Sequence, residues 1–329
     1  MSSAGLWTLR LACLVVLAVL PIIVGPFWLN MITLALIYSL VVYSINVLTG
    51  FSGLLSFGQA GFVGAAAYTY GVLSTTGVPF LLCVLAGLAL ATFLGLLLGL
   101  PAARLKGHYL AIGTLGFGVL GAQAFNNMVE ITRGPMGLLG IRSLNLDRIE
   151  WYFVLLVISL GLMTILNVVE RRTFLGVMLK SVKYDEVAAE ACGMATFGVK
   201  LLAFCSSALL AGLCGVLLAA HMRFLTPDLF VPAESFRYLM MAVVGGAGSA
   251  TGGLIASLLL TALPELLRSL GETNFRLLVY GTMVLFVLWF VPGGIGGLLD
   301  QLIGRRRRNI PAPPANAETV PVAAPAVAQ

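Results

Sequence analysis

The chain has 329 residues, of which 60% are hydrophobic and 10% are charged, with a mean hydropathy of +1.03 and a formal net charge of +6. Soluble domains carry about 25% charged residues, so this composition excludes a soluble domain and favours an all-α polytopic membrane protein. Crossing a bilayer takes about 20 mostly apolar residues, and several runs reach or approach that length.

Apolar runs in the first half of the chain predict six spans. The first has Arg10 before its apolar core and so resembles a signal peptide, but no small-residue cleavage site follows it, which favours a retained span. The third begins in a stretch rich in glycine and serine, which predicts an irregular start. The predicted spans are residues 6–24, 29–48, 49–73, 80–100, 109–128 and 151–169.

The second half begins with a polar stretch, residues 170–200, which we call the island. A span over 201–220 and a loop over 221–236 follow it. Residues 237–246 are apolar but short, and they end in the glycine-rich sequence GGAGSATGG. Further spans are predicted at 254–267 and 277–291, before Arg305–Arg308 and a Pro/Ala-rich tail whose composition predicts disorder.

The basic residues predict the orientation. With the N-terminus inside, the inner segments hold twelve of the 19 basic residues and six of the 13 acidic ones, so the whole net charge lies inside. Basic residues mark cytoplasmic span ends, so both termini are predicted to be cytoplasmic. With both termini on the same side, the number of membrane crossings must be even. This gives about ten spans if residues 237–246 cross as a short or broken helix, or about eight spans plus a re-entrant segment at those residues.

The island contains a predicted helix. The sequence YDEVAAEACG has good helix-forming composition, and Gly193 is the predicted C-cap. At helical spacing Glu186, Ala189, Glu190 and Gly193 share one face, which we expect another protein to approach. A solvated connector between two spans is the alternative interpretation of the same pattern.

The sequence contains none of the common catalytic or nucleotide-binding motifs. It has no HExxH, no GxSxG and no GxxxxGK[ST] phosphate loop, and its five cysteines show no paired spacing. No cofactor, metal site or catalytic residue is therefore predicted. If ATP drives transport, another subunit must bind it. Ionisable groups are nearly absent from the span interiors, which disfavours a proton- or sodium-coupled transporter.

Three segments together resemble the permease subunits of bacterial ABC importers for branched-chain amino acids, of the LivM type. The first is NVLTGFSGLLSFGQAGFVGAAAYT, and the second is LKGHYLAIGTLGFG with RGPMGLLGI after it. The third runs from the island through KLLAFCSSALLAGLCGVL and VVGGAGSATG to LPELLR. The resemblance covers about residues 30 to 300 and implies the ABC-importer permease fold over residues 1–300, with residues 301–329 as a cytoplasmic tail.

The resemblance also implies partners. These are two cytoplasmic ATP-binding subunits, a homologous second permease and a periplasmic amino-acid-binding protein. The chain itself would lie among the lipids of the bacterial inner membrane, would hydrolyse no ATP and would bind no nucleic acid. The substrate would be branched-chain or other small apolar amino acids.

The resemblance assigns the island to a coupling helix that docks on an ATP-binding subunit. The matching residues are Asp185, Glu186, Ala188, Ala189, Glu190 and Gly193. The family pattern has a glutamate where this chain has Val187, which leaves open whether Glu186 or Glu190 makes the main contact. Lys180 and Lys183 stand where the family often has arginine.

Four residues are candidates for the translocation path: Ser56, Gln59, Tyr68 and Thr114. Gln59 carries the strongest argument, because an amide in an apolar run must find a partner, and we expect it to face the path or the second permease. Close helix packing is the alternative explanation of the surrounding glycines.

One alternative of the same class and two of different classes stay open at this point. A permease for urea or short-chain amides shares the same glycine-rich signatures, and a proton-coupled transporter acting alone needs no ATP-binding subunit. A membrane-embedded enzyme is the most distant alternative.

Overall fold

The computed structural model describes residues 21, 25–105, 107–144, 146–266, 281–282, 289 and 293–302. The predicted first and last spans fall almost wholly outside these residues. Both termini, the Arg305–Arg308 cluster and the Pro/Ala-rich tail fall wholly outside them.

The described residues form helices and one pair of two-residue strands. In chain order the elements are α1 (Pro26–Ile45), a π-helix (Asn46–Phe51), α2 (Gln59–Thr75), α3 (Phe80–Ala102), α4 (His108–Asn127), α5 (Val129–Thr132), a 3-10 turn (Gly134–Met136), β1 (Leu138–Leu139), α6 (Arg148–Arg172), α7 (Phe174–Tyr184), α8 (Glu186–Ala191), α9 (Thr196–Met222), β2 (Phe224–Leu225), a 3-10 turn (Pro227–Phe230), α10 (Pro232–Gly245), α11 (Ala250–Leu266) and α12 (Gly294–Leu302). This confirms the predicted all-α polytopic class.

Among the described residues, four helices are long and apolar enough to cross a membrane: α1 with its π-helical extension, α3, α6 and α9. The apolar helix α11 is shorter. These helices differ in burial. In the most apolar 18-residue stretch of α1, 83% of the residues are buried, whereas in the corresponding stretch of α3 only 22% are buried. Helix α1 is therefore central, whereas α3 lies at the edge with its leucines facing outward.

The ends of the helices fall on two levels. On one level, which we call the island side, Lys183 of α7 bonds to Gly50 and Lys200 of α9 reaches the carbonyl oxygen of Ala103. On the other, the strand side, β1 pairs antiparallel with β2 and the Tyr70 hydroxyl donates to the Arg142 carbonyl. Successive long helices from α1 to α9 thus alternate in direction, as the sequence predicts.

Helices α10 and α11 form a hairpin. Helix α10 starts beside the beginning of α2, where the Ser235 hydroxyl accepts from the Ala60 N–H (2.9 Å), and it ends at Gly245, where the glycine-rich turn begins. In that turn the backbone N–H of Gly248 donates to the side-chain oxygen of Asn46 (3.1 Å), so the turn reaches the island-side end of α1. The predicted helix end at the glycine-rich segment is confirmed.

Candidate functional site

The short helix α8 of the island is capped at both ends. The side chain of Asp185 accepts hydrogen bonds from the backbone N–H groups of Val187 (2.9 Å) and Ala188 (3.0 Å), which is an N-cap. At the other end Gly193 has a φ of +80°. Its N–H donates to the carbonyl oxygen of Glu190, and the N–H of Met194 donates to that of Ala189. This is a Schellman closure, so the predicted C-cap at Gly193 is confirmed.

An ion pair and a hydrogen bond connect α8 to the first two turns of α9. The buried ammonium of Lys200 pairs with the Glu186 carboxylate at 2.5 Å, and the Thr196 hydroxyl donates to the Glu190 carboxylate at 2.6 Å. Ala189 lies between the two acids and is only 6% exposed. A buried lysine must be paired, which explains why Glu186 turns inward. Helix α8 is thus fixed to α9.

Glu186, Ala189 and Glu190 are predicted to share a face that another protein approaches. In the structure Ala189 is buried and Glu186 is paired with Lys200 within the chain, while Glu190 stays exposed. The partner of Glu186, Lys200, follows it by fourteen residues and belongs to the next helix. Spacing within α8 alone does not contain that information.

The opposite side of α8 is apolar and exposed. Tyr184 and Val187 are 71% and 68% exposed, and Ala188, Ala191 and Cys192 are exposed beside them. Positions 187, 188 and 191 have the spacing of one helix face, and Tyr184 precedes them as the last residue of α7. Of the six residues that the resemblance assigned to coupling, Ala188 lies on this face and Asp185 and Gly193 cap the helix. Ala189 is buried, Glu186 is half-buried against Lys200, and Glu190 is exposed while it accepts from Thr196.

The glycine-rich segment after α1 breaks the helix. Helix α1 continues as a π-helix over Asn46–Phe51, and residues 52–58 are not helical until α2 begins at Gln59, which confirms the irregular start of the third span. Ser56 and Thr114 satisfy the backbone there, because they accept from the N–H groups of Gly58 (3.4 Å) and Phe57 (3.0 Å). Both side chains are buried.

Gln59 joins three helices. Its side-chain oxygen accepts from the Ser44 hydroxyl (2.9 Å), its side-chain nitrogen donates to the Ser207 hydroxyl (3.0 Å), and Ser44 and Ser207 bond to each other. The residue is 0% exposed. The expectation was that Gln59 faces the translocation path or the second permease, and the structure shows its amide satisfied inside the chain by α1 and α9.

Tyr68 lies in an aromatic cluster on α2. Its ring stacks on Phe125 with centroids 4.9 Å apart and meets the edge of Phe230 at 5.7 Å. The residue is 4% exposed, and its buried hydroxyl has no hydrogen-bond partner among the residues that the structure describes. Gly64, one turn earlier, makes room for both phenylalanines, since a Cβ there would lie 2.4 Å from the Phe125 ring.

The two glycine-rich segments meet. A Cβ on Gly50 would lie 2.4 Å from the backbone nitrogen of Gly248, so the two backbones are in direct contact. Asn46 secures the junction, because its amide bonds to the Gly248 N–H and to the Ser249 carbonyl (3.3 Å). Broken helices that meet in this way form the substrate and ion sites of many transporters.

Several residues that hold the glycine-rich segments and α8 in place were not predicted to have these contacts. Each is a polar side chain inside or beside an apolar run, and this is the sequence feature that could have identified it. They are Ser44, Asn46, Lys183, Lys200 and Ser207.

A cavity of about 520 Å³ opens on the strand side between the start of α1, the end of α9 and the loop before α6. Arg148, Arg223 and Asn30 contribute polar groups to it, and leucines contribute apolar walls. Its rim is held by the Trp151 indole N–H, which donates to His221 at 3.2 Å. The cavity thus lies at the opposite end of the helices from the island.

Within the described part of the chain, no group of three or more histidine, cysteine, aspartate or glutamate side chains could hold a metal ion. Apolar helices, two helix breaks in contact and a capped helix with an exposed apolar face define an integral-membrane permease, a transport subunit rather than an enzyme. The chain belongs to the family described as branched-chain amino acid transport system / permease component, whose profile matches residues 27–288.

Two relatives carry the same printed name, high-affinity branched-chain amino acid transport system permease protein LivM. The one from Escherichia coli (strain K12) is 36% identical over 312 residues, covering 85% of this chain and 73% of the relative. The one from Salmonella typhimurium (strain LT2) is 35% identical over 309 residues, covering 85% and 72%. No solved structure matches the chain. The family confirms the predicted resemblance, and the chain is a multi-pass inner-membrane protein.

Proposed function

We propose that this chain is one permease subunit of an ATP-driven importer that carries branched-chain amino acids across the inner membrane. The observation that carries the ATP-driven mechanism is α8, a capped helix fixed to α9 that exposes an apolar face. The substrate class follows from the printed names of both relatives. A permease without a phosphate loop needs a separate ATP-binding subunit, and α8 offers it a rigid surface.

The proposed partners are two ATP-binding subunits on the island side, a second permease and a periplasmic binding protein on the strand side. Helix α4 supports the second permease, because its outward face carries Gly113, Gly116 and the exposed amide of Gln123. An amide at membrane depth is unfavourable in lipid and is covered by protein or water. Helix α3 exposes large apolar side chains such as Leu81 and Phe93, which suits lipid, whereas α4 combines exposed Ile112 and Leu120 with these small and polar residues.

Residues 1–300 form the proposed permease domain, with residues 170–200 as its coupling loop and residues 301–329 as a cytoplasmic tail. In this assembly Ser56 and Thr114 hold the break of the first glycine-rich segment. Tyr68 is the path candidate that the geometry favours, because its hydroxyl lacks a partner within the described part of the chain. Gln59 contributes to the path by fixing the helices that surround it.

The island side is the proposed cytoplasmic side, which places both termini in the cytoplasm. Native Cys192 is exposed on the island, and Met136 is 85% exposed on the strand side. A membrane-impermeant maleimide added to intact cells is expected to label a Met136→Cys variant that lacks Cys192, and to leave wild-type Cys192 unlabelled. Cys192 should react only in inverted membrane vesicles. Labelling of Cys192 in intact cells would reverse the orientation.

Two alternatives predict different transport. A permease for urea or short-chain amides would ignore leucine, and a proton-coupled transporter would work without an ATP-binding subunit. The described helices give the second alternative little support, since the long apolar helices keep their acidic residues at their ends, as with Glu150 and Glu170 of α6.

The function is tested in proteoliposomes that contain this chain, its second permease, the ATP-binding subunits and the binding protein. Uptake of radiolabelled leucine, isoleucine and valine is expected only when ATP is present on the side of the membrane where the ATP-binding subunits lie. An excess of urea should not reduce this uptake. A catalytically dead ATP-binding subunit is the matched control and should abolish uptake. Uptake that follows a proton gradient without ATP would contradict the proposal.

A further inference from the structure

We propose that Lys183 is the positioning residue that transmits movement of the island to the helix break after α1. The role rests on the proposed function, because only an ATP-driven permease needs its cytoplasmic helix to move the membrane helices. The four steps below start at the lysine ammonium and end at the junction of the two glycine-rich segments.

The first step is a direct bond. The ammonium of Lys183, near the end of α7, donates to the carbonyl oxygen of Gly50 at 2.6 Å. Gly50 lies in the last turn of the π-helix, where carbonyl groups lack a partner further along the helix. A cation that meets such a carbonyl forms a short, charge-assisted hydrogen bond, which is stronger than a neutral one.

The second step is the space left for the lysine stem. Gly53 has a φ of +74°, and a Cβ there would lie 3.0 Å from Cγ of Lys183. Glycine at position 53 therefore allows both the left-handed turn and the passage of the side chain toward Gly50.

The third step leads from Gly50 to the second glycine-rich segment. The backbone of Gly50 touches that of Gly248, and Asn46, one turn earlier in the same π-helix, holds the Gly248 N–H. A displacement of Gly50 is therefore passed to the turn between α10 and α11, since close-packed backbones do not slide past each other freely.

The fourth step is the attachment of Lys183 to the docking helix. Only Tyr184 and the cap Asp185 separate Lys183 from α8, and α8 is fixed to α9 by the Glu186–Lys200 pair. When an ATP-binding subunit shifts α8, the end of α7 must follow. Lys183 is exposed as a residue, which leaves its side chain room to move away from Gly50. A lysine on a flexible stem suits a bond that is made and broken in each cycle.

The experiment compares three variants in the complete reconstituted importer. Lys183→Met removes the ammonium and keeps the stem, Lys183→Arg keeps a donor, and Lys180→Met makes the same change one turn earlier on α7, where the lysine pairs with Glu170. Leucine transported and ATP hydrolysed are measured together. Lys183→Met is expected to keep its ATP-binding subunits and its ATPase activity while leucine transported per ATP falls about tenfold or more, the loss that one charge-assisted hydrogen bond allows.

Lys183→Arg is expected to recover most of this ratio, and Lys180→Met should leave it unchanged. An unchanged ratio in Lys183→Met, or an equal fall in Lys180→Met, would overturn the role of Lys183. A Lys183→Met complex that no longer co-purifies would also overturn it, because the lysine would then serve assembly. Absence of transport by the wild-type complex would count against the proposed function itself.

Discussion

Replacing Ala188 by tryptophan is expected to abolish binding of the ATP-binding subunits and, with it, uptake. Ala188 lies on the exposed apolar face of α8 next to Val187. A large ring there holds a docking surface several ångströms away, while the helix itself loses only about 0.5 kcal/mol in propensity relative to alanine. The caps at Asp185 and Gly193 stay intact. Co-purification of the complex in detergent measures the effect.

The neighbouring position provides a contrast. Ala189 is 6% exposed and packs inside the permease, so Ala189→Trp should destabilise the permease itself and lower the yield of folded protein. Glu190→Gln is a mild control, because a glutamine oxygen still accepts from the Thr196 hydroxyl. Normal ATPase binding and uptake by Ala188→Trp would make α8 a plain connector, the alternative that the sequence left open.

The helices could be predicted from the sequence because each apolar run is long and ends in polar residues or proline. The run over residues 80–100 appears in the structure as Phe80–Ala102, and the run over 151–169 as Arg148–Arg172. The C-cap at Gly193 could also be predicted, since a helix that ends in the left-handed conformation requires glycine locally.

The direction in which side chains face could not be predicted in the same way. Glu186 faces inward because of Lys200, and Gln59 faces inward because of Ser44 and Ser207, which lie on other helices. Membrane helices are apolar on all sides, so hydrophobic periodicity does not distinguish the packed face from the lipid face. Only the tertiary contacts decide which polar side chains find partners within the chain.

The glycines also show what the sequence can predict and what only tertiary contacts reveal. Their number predicts close helix packing, but their positions in the sequence do not reveal which of them lie at a crossing. Gly215 of α9 faces the backbone of α2, whereas Gly161 of α6 has no atom within 4 Å of the place a Cβ would occupy. Both are mid-helix glycines in apolar runs.

Gly215→Ala is therefore expected to be among the most damaging single-methyl additions in the chain. Its Cβ would clash with the carbonyl oxygen of Val63 on α2 and would lie 2.9 Å from the carbonyl carbon, so one helix backbone must move. The backbone cannot yield as a flexible side chain does, and overpacking of this kind destabilises by about 1–3 kcal/mol or more. The α2–α9 crossing carries Gln59 and Ser207, so uptake should fall together with folding.

Gly161→Ala is the matched control. It makes the same chemical change in the middle of another long apolar helix, where alanine favours the helix by up to about 1 kcal/mol and meets nothing. Thermal unfolding of the detergent-solubilised protein, followed by size-exclusion of the heated sample, should show a clearly lower Tm for Gly215→Ala and an equal or higher Tm for Gly161→Ala. Equal Tm values for Gly215→Ala and wild type would mean that α2 and α9 do not cross in backbone contact, and the bonds from Gln59 to Ser44 and Ser207 would then lose their geometric basis.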